Sequence, residues 1–351
     1  MGIRVGIIGA GNIAVSRHLP TYQNSDRAQV SGIYDNDMQK TRSVADEWDI
    51  TAMSNLGELF SKADLISICT PPSKHCEQAV NALNNGCHVL TEKPMAMSTA
   101  EADKMIDAAE ENDRILSVVH NFQFMKRMRS ALELQETGQL GDVNRTFAVL
   151  FKNEQQGKAY LSGDEGGWSG MRFWDEAPHM MYLTRAFIGD MELDNAEATT
   201  DESGTAYRTL RTQFEGATGA TGTVSFVWDS PITEWWLVVV GTQGIVFIDI
   251  FRDLLIHFDR EKSHSAVRVI SVLSSAIGQL AAGGIRSGVQ HIHDRIVRGY
   301  RIPDSGFSDQ VSRVLTAIGE GSEPPITGKE SKRILEHMET VAEDAGLTER
   351  N

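Results

Sequence analysis

Over the first 120 residues, short apolar runs alternate with stretches of helical character, and this alternation limits the fold more than any other feature of the 351-residue chain. Arg4 to Ile8 reads as a buried strand entering Gly9-x-Gly11-x-x-Ala14, and a helix continues through Val15, His18 and Leu19. A second apolar strand, Gln29 to Tyr34, ends in Asp35. Helices are predicted over Met38–Trp48 and Asn55–Ser61, followed by the buried run Ala63–Cys69. Thr70-Pro71-Pro72 stops that run, because proline brings no N–H to a ladder, and Ser73-Lys74-His75 opens the next helix. The stretch from Asn85 to Pro94 repeats the pattern: a turn at Asn85-Gly86, a strand over His88–Thr91, then Glu92-Lys93-Pro94 at its carboxyl end. A helix over about Thr99–Asn112 and the strand Ile115–His120 follow. Strands separated by helices predict an α/β fold, a parallel doubly wound sheet over residues 1–122.

After Asn121 the rhythm changes. A helix over about Lys126–Glu136 stops at Gly138, and β-type runs then succeed one another without intervening helices: Val143–Lys152, Ala196–Thr200, Ala206–Phe214, Thr221–Trp228, Glu234–Val240 and Gly244–Phe258. They predict an α+β domain over residues 123–351 with a large open, mostly antiparallel sheet. Trp228, Trp235 and Trp236 lie on its strands and would leave an apolar face for a homodimer or homotetramer. Ile270 to Arg298 reads as helical, and two amphipathic helices at about 307–344 are placed to pack back on the first domain. His291-x-His293-Asp294 does not read as a metal site, because residues two apart do not share a helix face.

Composition excludes several classes. Hydrophobic residues make up 41% and charged residues 23%, and no apolar run approaches the ~20 residues of a membrane span. A formal net charge of −15 argues against nucleic acid as a partner. Three cysteines without a Cys-x-x-Cys pair argue against a disulfide framework or a structural zinc. A cytoplasmic location is expected.

Two places concentrate chemistry. The first is the mouth of the parallel sheet. Gly9 makes the tight turn of a dinucleotide fingerprint, Gly11 lets the backbone approach a pyrophosphate, and Ala14 lets helix and strand pack. Asp35, 24 residues beyond Gly11, suits ribose hydroxyls and would repel a 2′-phosphate, which predicts NAD over NADP. The second is Asp175-Glu-Ala-Pro-His179 at the start of a predicted helix, where Asp175 reads as an N-cap and Asp175 and His179 share a face.

The fingerprint, Thr70-Pro71-Pro72 with His75, Glu92-Lys93-Pro94 and Asp175-x-x-x-His179 stand in the order and spacing that resemble the Gfo/Idh/MocA oxidoreductases, over nearly the whole chain. The resemblance implies an N-terminal Rossmann domain, a C-terminal substrate domain with an open sheet, and a nicotinamide cofactor acting on a sugar, sugar acid or cyclitol. It implies cofactor contacts from Gly9, Gly11, Asn12, Ile13, Asp35, Asn36, Thr70, Pro71, Pro72, His75, Glu92, Lys93 and Asn121. Lys93, Asp175 and His179 would form the catalytic group, with Trp168, Arg172 and Trp174 as further substrate contacts. Some positions depart from the family pattern: Tyr182 stands where a second aspartate often follows the histidine, Gln123 replaces a frequent arginine, and Ala177 a frequent glycine. Two rival readings of the same scaffold are a glycoside hydrolase that uses NAD transiently and a non-enzymatic dinucleotide-binding regulator.

Overall fold

The computed structural model describes residues 2–153, 171–202, 207–260, 266–296 and 306–347. The chain separates into two compact units, Met1–Asn121 with Ile292–Glu336, and Phe122–His291 with His337–Asn351.

In the first unit five strands pair in parallel: β1 (Ile3–Ile8), β2 (Ala28–Tyr34), β3 (Leu65–Ile68), β4 (His88–Thr91) and β5 (Leu116–Val118), in the order β2-β1-β3-β4-β5. Helices α1 (Leu19–Gln23), α2 (Met38–Trp48), α3 (Leu56–Lys62), α4 (His75–Asn84) and α5 (Thr99–Glu111) make the crossovers. The strands read as unbroken apolar runs because a parallel sheet is covered on both faces. Short polar side chains start the helices: Asp37 accepts from the backbone N–H groups of Gln39 and Lys40, Asn55 from that of Glu58, and Ser98 from that of Glu101. The strand order reverses direction between β1 and β3, and a doubly wound sheet opens its ligand crevice at such a reversal.

The late helix Phe307–Glu320 belongs to this unit. Its Phe307, Val311, Val314 and Leu315 share one core with Val5, Ile7, Leu19, Tyr22 and Ile33. Its buried Gln310 donates to the carbonyl of Val118 at 2.7 Å and accepts from the N–H of His120 at 3.0 Å, so an amide side chain serves the outer edge of β5.

The second unit holds α6 (Lys126–Glu136), α7 (Met171–Ile188) and a seven-stranded sheet. Its strands are β6 (Val143–Asn153), β7 (Met191–Thr200), β8 (Tyr207–Gly216), β9 (Thr221–Ser230), β10 (Glu234–Gly241), β11 (Gly244–Asp249) and β12 (Leu254–Asp259), in the order β12-β11-β10-β6-β9-β8-β7. β6 and β9 pair in parallel and the other neighbours antiparallel. The run expected as one strand over Gly244–Phe258 is instead the hairpin β11–β12. Its turn carries no Gly or Pro signal; Asp253 adopts a φ of 47°, and Arg252 is held by Glu234 at 2.6 Å and Asp249 at 2.5 Å.

α7 covers one face of this sheet, and glycine permits the approach: a Cβ on Gly222 would come within 2.6 Å of Thr184 Cγ2. Strand periodicity of two separates the tryptophans expected together. Trp228 and Trp235 are buried, while the half-buried Trp236 points to the opposite face and packs on Phe151 and Phe247. The helix Ala266–Ile296 closes the β12 edge through Gln279, whose amide bonds both the N–H (2.8 Å) and the carbonyl (3.2 Å) of His257. Among the described residues no helix is long and apolar enough to cross a membrane.

Candidate active site

In the first unit, cofactor chemistry gathers at the carboxyl ends of β1 to β4. Gly9 has a φ of 98°, and a Cβ there would lie 2.8 Å from the Cys69 carbonyl oxygen, so only glycine fits between β1 and the loop after β3. A Cβ at Gly11 would meet nothing within 4 Å, which leaves the open backbone that a pyrophosphate requires. Asn12 and Ile13 follow in the same turn; the Asn12 carbonyl accepts from the Ser16 hydroxyl at 2.6 Å, and the chain leads into a wide helical turn over Ala14–His18. Asp35 folds back on this turn: its Oδ2 accepts from the Ala10 N–H at 2.8 Å and its Oδ1 from the Asp37 N–H at 3.0 Å. Lys40 Nζ stands 3.7 Å from Asp35 Oδ2, and Asn36 is exposed beside it. These residues fit a dinucleotide.

Thr70, Pro71 and Pro72 are half-buried at the end of β3. Buried His75 ties this loop to the one after β4, with Nε2 2.8 Å from the Thr70 carbonyl oxygen and Nδ1 2.9 Å from that of Pro94. Burial pushes the His75 imidazole below its ordinary value, although both carbonyls favour its charged form.

Glu92 is buried and ends a chain of polar groups that sequence reasoning missed. Tyr22 donates to Ser67 Oγ at 3.1 Å, Ser67 Oγ lies 2.7 Å from His18 Nδ1, and His18 Nε2 lies 2.8 Å from Glu92 Oε1. Glu92 Oε2 in turn accepts the Lys93 N–H at 3.3 Å. Burial works to raise the Glu92 carboxyl, but the His18 hydrogen bond and nearby cations hold it below the usual carboxylate range. No spacing rule joins His18, Ser67 and Glu92; the parallel pairing of β1, β3 and β4 does. Lys93 itself is half-buried, and Asn121 is buried at the end of the unit.

In the second unit, Asp175 and His179 lie on α7. The helix spans Met171–Ile188, so Asp175 is in its body and not its N-cap, and Pro178 sits inside it. The spacing of four still places both on one face. Asp175 is half-buried and His179 buried; the His179 ring meets Phe122 edge-on at 4.8 Å and lies 5.3 Å from Trp235. His179 Nδ1 lies 2.8 Å from Tyr182 Oη, which also accepts from the Phe122 N–H at 3.3 Å. Buried Glu176 is a second residue the sequence did not single out: it accepts from Trp228 Nε1 at 2.9 Å and pairs with Lys152 at 2.9 Å, fixing α7 to β6 and β9. Arg172 is half-buried, and Trp174 is buried edge-on to Phe173. Trp168 lies outside the described residues. Lys93 thus belongs to the first unit, and Asp175 and His179 to the second.

Residues 3–120 match the Oxidoreductase family, NAD-binding Rossmann fold, of Gfo/Idh/MocA proteins. These residues are therefore a NAD-binding Rossmann domain of the Gfo/Idh/MocA oxidoreductase type. The chain is 29% identical over 149 residues to D-glucoside 3-dehydrogenase of Escherichia coli, covering 42% of each protein. It is 32% identical over 137 residues to UDP-N-acetylglucosamine 3-dehydrogenase of Acidithiobacillus ferrooxidans, covering 39% of this chain and 42% of that one. These matches span less than two thirds of the relatives' length. Over 99% of this chain and 97% of the other, the fold resembles WlbA dehydrogenase of Bordetella pertussis in complex with NADH and UDP-GlcNAcA, with a TM-score of 0.76 at 19% identity. Another solved structure of this fold holds NADP.

Proposed function

We propose that this protein is a NAD-dependent oxidoreductase that interconverts a secondary alcohol and a ketone on a sugar, sugar acid or cyclitol ring. The observation that carries the reading is the combination of an open fingerprint turn at Gly9–Gly11, with Asp35 folded against it, and Asp175 with His179 on one face of α7. The nicotinamide ring, when bound, accepts or returns the hydride of the carbinol carbon. His179 takes the hydroxyl proton, Lys93 stabilises the oxygen as negative charge develops on it, and Asp175 orients the hydroxyl or Lys93. Arg172, with Trp168 and Trp174, belongs to the proposed substrate side. The two relatives are both named 3-dehydrogenases, which makes the C3 hydroxyl of glucose-type compounds the first to assay.

The remaining proposals concern cofactor, assembly and location. Asp35 favours NAD over NADP. The open face of the second sheet supports a symmetric dimer or tetramer: Phe147 and Ile245 are each 39% exposed there, beside Phe151, Trp236 and Phe247. The protein acts in the cytoplasm, with residues 1–122 as the cofactor domain and 123–351 as the substrate and assembly domain. A screen of sugars, sugar acids, nucleotide sugars and cyclitols with NAD and NADP, read as nicotinamide absorbance, tests the reading. Net NADH formation with a free or nucleotide-linked sugar is expected. Cleavage of a glycoside with the cofactor returned unchanged would replace the dehydrogenase by a hydrolase.

A further inference from the structure

We propose that Tyr182 is a positioning residue for His179, its hydroxyl oxygen accepting the Nδ1–H of the imidazole and so presenting Nε2 to the substrate. The proposal rests on the reading of His179 as the base. Its geometry lies wholly in the second unit. Tyr182 follows His179 by one helical turn, and its Oη lies 2.8 Å from Nδ1. The same oxygen receives the Phe122 N–H at 3.3 Å, so a backbone group of the chain segment leading into α6 sets where the phenol sits. The phenol oxygen has two lone pairs, and these two N–H groups use them. Phe122 and Trp235, which face the imidazole from other elements, do not titrate. Asp175, Glu176 and Tyr182 are the titratable residues within four positions of it on its own helix, and Glu176 is paired with Lys152 and the Trp228 indole N–H.

The chemical consequence follows from proton bookkeeping. A neutral imidazole that takes a hydroxyl proton at Nε2 must already carry its own proton on Nδ1. The substrate O–H bond breaks, the Nε2–H bond forms, and Nδ1–H stays in place. Which ring nitrogen carries the proton is set by the hydrogen bond the other one makes. Tyr182 therefore holds both ring orientation and tautomer. A phenol oxygen carries no charge, so it steadies the resulting imidazolium less than a carboxylate would.

Nitrogen-15 NMR of the histidine rings, with the His179 signals assigned by their loss in His179→Ala, reads the tautomer directly. The wild type is expected to show Nδ1–H, and Tyr182→Phe a shift toward Nε2–H. In the sugar assay Tyr182→Phe should lower kcat about ten- to a hundredfold with KM and NAD affinity little changed. Tyr182→Asp should move the rise of kcat with pH in the oxidation direction upward by about one unit or more. An Nε2–H tautomer in the wild type overturns the proposal even if Tyr182→Phe fails to fold. An unchanged kcat and pH profile in a folded Tyr182→Phe overturns it too. If His179→Ala is inactive in either case, the base assignment stands without the positioning role. If His179→Ala turns over at the wild-type rate, the reading of the site falls instead.

Discussion

Lys93 and His179 carry the sharpest expectations at the scale of single residues. As a strand-end charge and a packed ring they would matter only to stability; as catalytic groups they matter to turnover. Lys93→Met and His179→Ala should each lower kcat by about 10²–10⁴-fold. NAD affinity should persist in His179→Ala, because Gly9, Gly11 and Asp35 are untouched. Steady-state kinetics with a calorimetric NAD titration checks both, and a His179→Ala enzyme at wild-type rate would remove the mechanism. Asp35 makes the cofactor prediction. Its carboxylate already accepts from Ala10 and Asp37, with Lys40 at 3.7 Å. Direct titration should give a lower Kd for NAD than for NADP; the reverse order would point to Lys40 as a phosphate partner.

The elements are positioned by a few buried polar ties. Glu176 is the clearest, since one carboxylate takes both the Trp228 indole N–H and the Lys152 ammonium. Glu176 is buried and Lys152 half-buried, so removing the carboxylate leaves the indole N–H and a partly shielded ammonium without it, at a cost of about 1–3 kcal/mol. Glu176→Ala should therefore lower the urea midpoint clearly. Glu176→Gln, which keeps an acceptor for Trp228, should lose less. Equal midpoints for Glu176→Ala and wild type would show that α7 is held by packing alone. The Glu92 chain has the same character in the first unit: His18 and Ser67 fix the carboxylate, which also accepts the Lys93 backbone N–H.

Two predictions belong to the whole molecule. His75 and Glu92 both have folded-state values below their ordinary ones of 6.5 and 4.5, so the unfolded chain binds each proton more readily. Their contributions to stability are present above those ordinary values and are lost as pH falls through the lower folded ones. The denaturation midpoint should decline in acid, beginning near pH 6.5 for His75, and His75→Asn should flatten that first decline. A midpoint that holds steady from pH 7 to about pH 5 in the wild type would contradict this. Assembly is the second prediction. Light scattering should give a dimer or tetramer, and Phe147→Asp or Ile245→Asp should lower the mass toward 38.7 kDa. A monomeric wild type at micromolar concentration would remove the sheet interface.

Local chemistry was enough to read the parallel sheet and its fingerprint turn, because the Gly9 conformation, the proline stops and the apolar strands are all written within a few neighbouring positions. The same holds for the placement of Asp175 and His179 on one helix face, which needs only the helical period. The start of α7 was misjudged because Asp175 is a good N-cap and Pro178 a good first-turn residue wherever they stand. The β11–β12 hairpin was missed because its turn is built from Arg252 and Asp253 without glycine or proline. The Phe122 N–H on Tyr182, His18 on Glu92 and Trp228 on Glu176 were settled only by tertiary structure. Hydrogen bonds depend on the meeting of atoms in space, and strand order and helix packing decide which distant residues meet.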